Sequence, residues 1–140
     1  MSYLLDTNVI SELVAPQPNP GVMHWIEGLD QETVFLSVIT IGELKRGIEK
    51  LSPSQRKDAL SDWVTGDLLV RFGDRVLPVD VPVILIWGTL VAKMEAKGKP
   101  IPAIDSLLAA TAAEFGLTFV TRNVRHFEET GISILNPWEL

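Results

Sequence analysis

Residues 118–121 read Thr-Phe-Val-Thr, and residues 33–36 read Thr-Val-Phe-Leu. Side chains of a strand alternate between the two faces of a sheet, so runs that are apolar on both alternating faces suit parallel strands covered by helices on either side. Short apolar runs at Tyr3–Leu5, Val34–Leu36, Val76–Val79 and Phe119–Thr121 are separated by amphipathic stretches. That alternation describes βαβ units and predicts an α/β chain built on a parallel sheet.

The intervening helices carry their own punctuation. Ser52-Pro53-Ser54-Gln55 has the form of a capping box with proline at the first helical position, and predicts a helix running to about Arg71. Gly98 and Gly116 are placed as left-handed stops just past helix ends. From Pro102 onward, Ile104, Leu107, Leu108 and Thr111 share one face, and the alanines at 109, 110, 112 and 113 allow close packing, which predicts a buried helix. Ala15 to Gly21 (APQPNPG) is an irregular connection between two short helices. With no repeat, low-complexity tract or linker, residues 1–140 are expected to form one domain.

Composition narrows the chemistry. Cysteine is absent, which removes thiolate zinc sites, disulfides and cysteine nucleophiles. The two histidines, His24 and His126, lie far apart in sequence, and neither a G-x-S-x-G elbow nor a glycine-rich phosphate loop occurs. Hydrolytic chemistry would therefore fall to carboxylates. The longest apolar run, Val81–Ala92, contains Pro82 and Gly88 and is shorter than the roughly 20 residues a membrane span requires. No basic residue precedes the first apolar stretch of MSYLLD, so a soluble, cytoplasmic protein is expected. A net charge of −6 disfavours a general nucleic-acid coat, and nucleic acid would have to bind a local patch.

Asp6, Glu43, Asp105 and Asn123 each follow a strand or open a helix. In an open parallel sheet, ligands bind in the crevice outside the carboxyl ends of the strands, where these four could meet. Capping would also account for several of them: Asp6 as an N-cap, Thr40-Ile41-Gly42-Glu43 as a capping box, and Asn123 ahead of VRHFEE. Asp105 lies inside the first turn of its helix on or near an apolar face and so needs a partner. If the acids do meet, two carboxylates about 4 Å apart repel by roughly 4 kcal/mol at an effective dielectric of 20. No lysine or arginine lies within the Asp6 or Asp105 motifs, and an all-oxygen ligand set suits Mg²⁺ or Mn²⁺, whose chemistry beside a phosphodiester is hydrolysis. Lys45, Arg46, Lys50, Lys97, Lys99, Arg122 and Arg125 lie beside the acids in sequence, and together they would outline a phosphate-binding rim.

The segments LLDTNVISEL (4–13), SVITIGELKRGI (37–48), IDSLLAATA (104–112) and TRNVRHF (121–127) resemble PIN-domain proteins, in the expected order and across nearly the whole chain. The likeness is strongest to VapC-type toxin ribonucleases, and NPWEL at 136–140 resembles their FitB-like branch. The resemblance implies a five-stranded parallel sheet. With the four runs above, the fold is expected to be PIN-domain-like α/β, a parallel sheet of four to five strands with helices on both faces.

The resemblance further implies that Asp6, Glu43 and Asp105 bind Mg²⁺ or Mn²⁺. Thr7 and Thr121 are candidates to orient those carboxylates, although at strand ends they could equally satisfy backbone groups, and Lys45, Arg46, Lys99, Arg122 and Arg125 are the members of the basic rim expected to meet RNA. The resemblance also implies a homodimer and a cognate antitoxin. The family's fourth acid is here Asn123, which offers a carbonyl oxygen but no charge, so a second metal site is put in question. The expected function is thus a metal-dependent endoribonuclease, the toxin of a toxin–antitoxin pair. The alternative is a catalytically silent PIN-like binding module. A receiver domain or dehalogenase-type phosphatase fits less well, because Asp6-Thr7-Asn8 lacks the second acid of D-x-D. Trp25, Trp63, Trp87 and Trp138 are candidates for core packing or for a partner surface.

Overall fold

The computed structural model describes all 140 residues, Met1–Leu140. Five strands, β1 (Tyr3–Leu5), β2 (Val34–Ser37), β3 (Val76–Leu77), β4 (Thr118–Val120) and β5 (Ile134–Leu135), form one sheet in the order β3-β2-β1-β4-β5. Every pairing is parallel. Tyr3 is in register with Val34 on one side and Thr118 on the other, and Leu4 with Phe35 and Phe119. The chain moves outward from β1 to β2 and β3, then returns to place β4 on the other side of β1. The order therefore reverses at β1–β4, directly below Asp6 and Thr121.

Alternation along the strands divides the core in two. Leu5, Val34, Leu36 and Val120 point to one face and pack with Val9 and Ile10 of α1 (Thr7–Leu13), Val22 and Ile26 of α2 (Pro20–Glu27), and Leu44 and Ile48 of α3 (Val38–Glu49). Leu4, Leu77 and Phe119 point to the other and meet Leu108, Ala109 and Ala112 of α7 (Ala103–Phe115). The small alanines let α7 lie close to the sheet, as their spacing predicts. Helix α6 (Val81–Ala96) packs along α7, where the Trp87 indole N–H donates to Ser106 Oγ at 2.9 Å. No helix is long and apolar enough to cross a membrane.

Several local expectations are corrected. Ser52 does not cap the fourth helix: α4 is Gln55–Asp62, and the Ser54 hydroxyl accepts the Lys57 N–H, so neither Ser52 nor Pro53 lies in the first turn. The helical path continues through a π-helical segment, Trp63–Leu68, into α5 (Leu69–Phe72). There the Thr65 hydroxyl donates to the Ser61 carbonyl, competing with the ordinary amide ladder. Thr40 does not cap α3 either. Ser37, at the end of β2, accepts the Ile39 N–H first, which places Thr40 and Glu43 within the helix. Strand β3 stops at Leu77, before Pro78, which has no N–H to give a ladder. Ile104 is 39% exposed, so the buried face of α7 is carried by Leu108, Ala109, Ala112 and Thr111. Gly98 and Gly116 do take left-handed conformations, with φ of 69° and 63°.

Candidate metal and phosphate site

Asp6 leaves β1 and caps α1, its Oδ1 accepting the Thr7 N–H at 2.7 Å. Capping and site geometry are therefore properties of one carboxylate. Its other oxygen, Oδ2, accepts from the Thr121 hydroxyl at 2.8 Å and from the Asn8 amide at 3.2 Å. The Thr121 hydroxyl also accepts the Asn123 N–H at 3.0 Å, so this one group ties the end of β4 to the end of β1. Thr121 is fully buried and Asp6 is 6% exposed. Burial raises the Asp6 carboxyl above its ordinary value, against the opposing pull of the Thr121 and Thr7 hydrogen bonds, and the charges of Glu43 and Asp105 add to the rise.

Glu43 lies on the second turn of α3, and its Oε1 accepts the Thr7 hydroxyl. Asp105, in the first turn of α7, is joined at Oδ2 by His126 Nδ1 at 3.0 Å. That histidine is the partner Asp105 was expected to need. Asp6, Glu43, Asp105 and Asn123 all line one cavity of about 530 Å³, which opens above the β1–β4 switch point. Neither Asp6 nor Glu43 is ion-paired, and Asp105 meets only His126.

The oxygen donors fit a hard divalent cation in kind, since they are carboxylates and amide oxygens without an internal lysine or arginine counter-charge. They are not drawn into a closed cage: no three acids or histidines stand close enough together to hold an ion as they are, with Glu43 bonded to Thr7 and Asp105 to His126. Asn123 does not cap the turn that follows it, since its side chain accepts no N–H there; it lines the cavity instead, while its backbone N–H donates to the Thr121 hydroxyl.

The expected basic rim is dispersed. Only Arg122 lines the acidic cavity. Lys45 pairs with Glu49 at 2.7 Å and Lys99 with Glu129 at 2.8 Å, both on the surface, while Arg125 lines adjoining clefts beside His126. Arg46 is exposed in the last turn of α3. Residues at the site that were not picked out from sequence include Asn8, Glu12, His126 and Trp138. Asn8 lies within the DTN motif two residues past Asp6, whereas nothing local tells that His126 reaches Asp105 or that Trp138 reaches the cavity.

A sequence model of the PIN domain matches residues 3–132. With the all-parallel sheet and the acids gathered above its switch point, the chain belongs to the PIN-domain family. Within that family it is similar to FitB- and VapC-type toxins. It is 40% identical to the toxin FitB of Neisseria gonorrhoeae, over 96% of this chain and 97% of that protein. It is 38% identical to the VapC ribonuclease Y4jK of Sinorhizobium fredii, over 97% of each. The crystal structure of FitAcB from Neisseria gonorrhoeae superposes with a TM-score of 0.94 at 40% identity, covering 99% of both chains.

Proposed function

We propose that this chain is the ribonuclease toxin of a toxin–antitoxin pair, hydrolysing RNA phosphodiester bonds with Asp6, Glu43 and Asp105 around Mg²⁺ or Mn²⁺. The toxin-ribonuclease class rests on the relatives named FitB and VapC ribonuclease. The observation that carries the metal-dependent reading is the shared cavity: three acids without a lysine or arginine partner, one of them buried with a raised pKa. Such a cluster is relieved by a cation.

Asp6, Glu43 and Asp105 would hold the ion, with Asn123 adding a neutral oxygen that weakens any second site. The chemistry an ion supplies there is acidification of water for attack and neutralisation of charge on the departing oxygen. The chain's own contribution is orientation. Thr121 and Asn8 fix Asp6, Thr7 fixes Glu43, and His126 fixes Asp105. Arg122, at the rim, would receive a phosphate. The same reading places the protein in the cytoplasm as a single domain, opposed by a cognate antitoxin and paired as a homodimer. The exposed Val81, Ile84 and Leu85 of α6 support the last of these.

The test is cleavage of total RNA by the purified chain with Mn²⁺, with Mg²⁺ and with EDTA, alongside Asp6→Asn, Glu43→Gln and Asp105→Asn. Cleavage by the unmodified chain that EDTA stops and each substitution abolishes, in folded protein, is the expected result. Full activity in EDTA would overturn the metal, and no cleavage under any condition would leave a silent binding module.

A further inference from the structure

We propose that Trp138 and Arg122 form a stacking platform that holds one nucleobase of a single-stranded RNA at the mouth of the acidic cavity; this rests on the ribonuclease reading above. The motif Asn136-Pro137-Trp138 builds the platform locally. Asn136 Oδ1 accepts the Trp138 N–H at 2.9 Å, and Pro137, buried, fixes the first turn of a short 3₁₀ helix. Trp138 is partly buried against the core beside α2, and it also lines the cavity. The Arg122 guanidinium carbon sits 5.2 Å from the Trp138 ring centroid.

Core packing does not account for this arrangement. The cavity lining is almost wholly polar, with Ala15 and Trp138 its apolar members, and Arg122 its one cation among the acids Asp6, Glu12, Glu43 and Asp105. Arg122 takes part in no ion pair despite those neighbours, and its exposed guanidinium sits over the ring without a carboxylate partner. A phosphate alone would call for the charge but not for the indole. A cationic side chain from a protein partner would suit the acids, yet Arg122 already covers the ring and would repel it there. A neutral aromatic base carrying an anionic phosphate satisfies both: the base stacks against the exposed guanidinium where it lies over the indole, and the phosphate meets the positive charge.

The probes are an RNA decamer of adenylate and a decamer of abasic ribose phosphate with equal charge, followed by anisotropy and tryptophan emission in Ca²⁺ buffer. Stacking of a single base corresponds to about a 5- to 100-fold preference for the adenylate strand, accompanied by quenching of indole emission. Trp138→Phe, which keeps an aromatic face and the packing, should retain most of the preference and lose the quenching. Arg122→Lys, which keeps the charge but not the plane, and Trp138→Leu should each reduce the preference without weakening the abasic strand to the same degree. Equal binding of the two decamers by the unmodified chain, or quenching that survives Trp138→Phe, would overturn the platform. So would stronger quenching by an arginine-rich peptide than by RNA. Cleavage of total RNA separates the failures: a chain that cleaves but shows no base preference loses only the platform, whereas one that never cleaves loses both.

Discussion

Replacing Thr121 by valine removes a single hydroxyl from the centre of the site at nearly constant volume. That hydroxyl donates to the Asp6 carboxylate at 2.8 Å and accepts the Asn123 N–H at 3.0 Å. The first bond is the costly loss. Thr121 is fully buried and Asp6 is 6% exposed, so water cannot easily replace the donor, and a hydrogen bond to a charged group contributes about 1.5–3 kcal/mol. The second matters less, because Asn123 is exposed and its N–H can turn to solvent. Thr121→Val should therefore lower stability at neutral pH by about 2 kcal/mol, or roughly 4–8 °C in a domain of this size. Because the bond favours ionised Asp6, the penalty should shrink as pH falls and the carboxyl takes up its proton. Urea titrations of Thr121→Val, Asp6→Asn and the double variant measure the coupling directly. Additivity within about 0.5 kcal/mol would refute the argument, since it would mean that Thr121 does not act through Asp6.

Three further outcomes are expected. Mn²⁺ or Mg²⁺ should raise the melting temperature, by the equivalent of about 2.7 kcal/mol at one hundred times the dissociation constant; Asn123→Asp should bind metal more tightly while destabilising the metal-free fold, and a calorimetric scan showing no metal shift in either protein would remove the carboxylate cluster. Without metal, the folded pKa of Asp6 lies above its unfolded value, so its contribution is fully present below the ordinary aspartate range and is lost as pH rises through the raised value. Denaturation curves of Asp6→Asn across that window should lack this loss. An inhibitory antitoxin should insert an arginine or lysine toward Asp6 and Asp105, and replacing that residue should restore RNA cleavage even where the complex persists, whereas unchanged inhibition would count against it.

Much of this protein is written in local pattern. The runs at Tyr3–Leu5, Val34–Leu36 and Phe119–Thr121 announce strands because they are apolar on both alternating faces and need cover on either side, and the structure supplies it with α1–α3 on one side and α7 on the other. Gly98 and Gly116 mark helix ends because the left-handed backbone there suits a residue without Cβ. The ordered motifs around Asp6, Glu43, Asp105 and Asn123 placed the chain in its family, and those four residues do share one cavity. Cap chemistry was legible in position at Asp6, but only in kind at α3 and α4. Ser54 prevails over Ser52 and Ser37 over Thr40, because a cap is chosen by where the preceding chain leaves the sheet or loop.

Tertiary structure alone decided which charged groups meet. From sequence, seven basic residues flank the acids, but in space Arg122 alone reaches the cavity, because Lys45 and Lys99 find nearer carboxylates on the surface. The sequence spacing of 21 residues between Asp105 and His126, and of 115 between Asp6 and Thr121, carries no signal by itself. The Asp6–Thr121 pair forms because β4 lies beside β1 in the sheet, and His126, shortly after β4, meets Asp105 at the start of α7. Trp138 is the plainest case: its composition and position suit a core residue equally well, and its place against Arg122 exists only once β5 has carried the C-terminal segment back to the switch point. Local sequence sets which backbone states and faces are favourable, while long-range pairing sets which side chains share a volume, and chemistry at this site depends on the second.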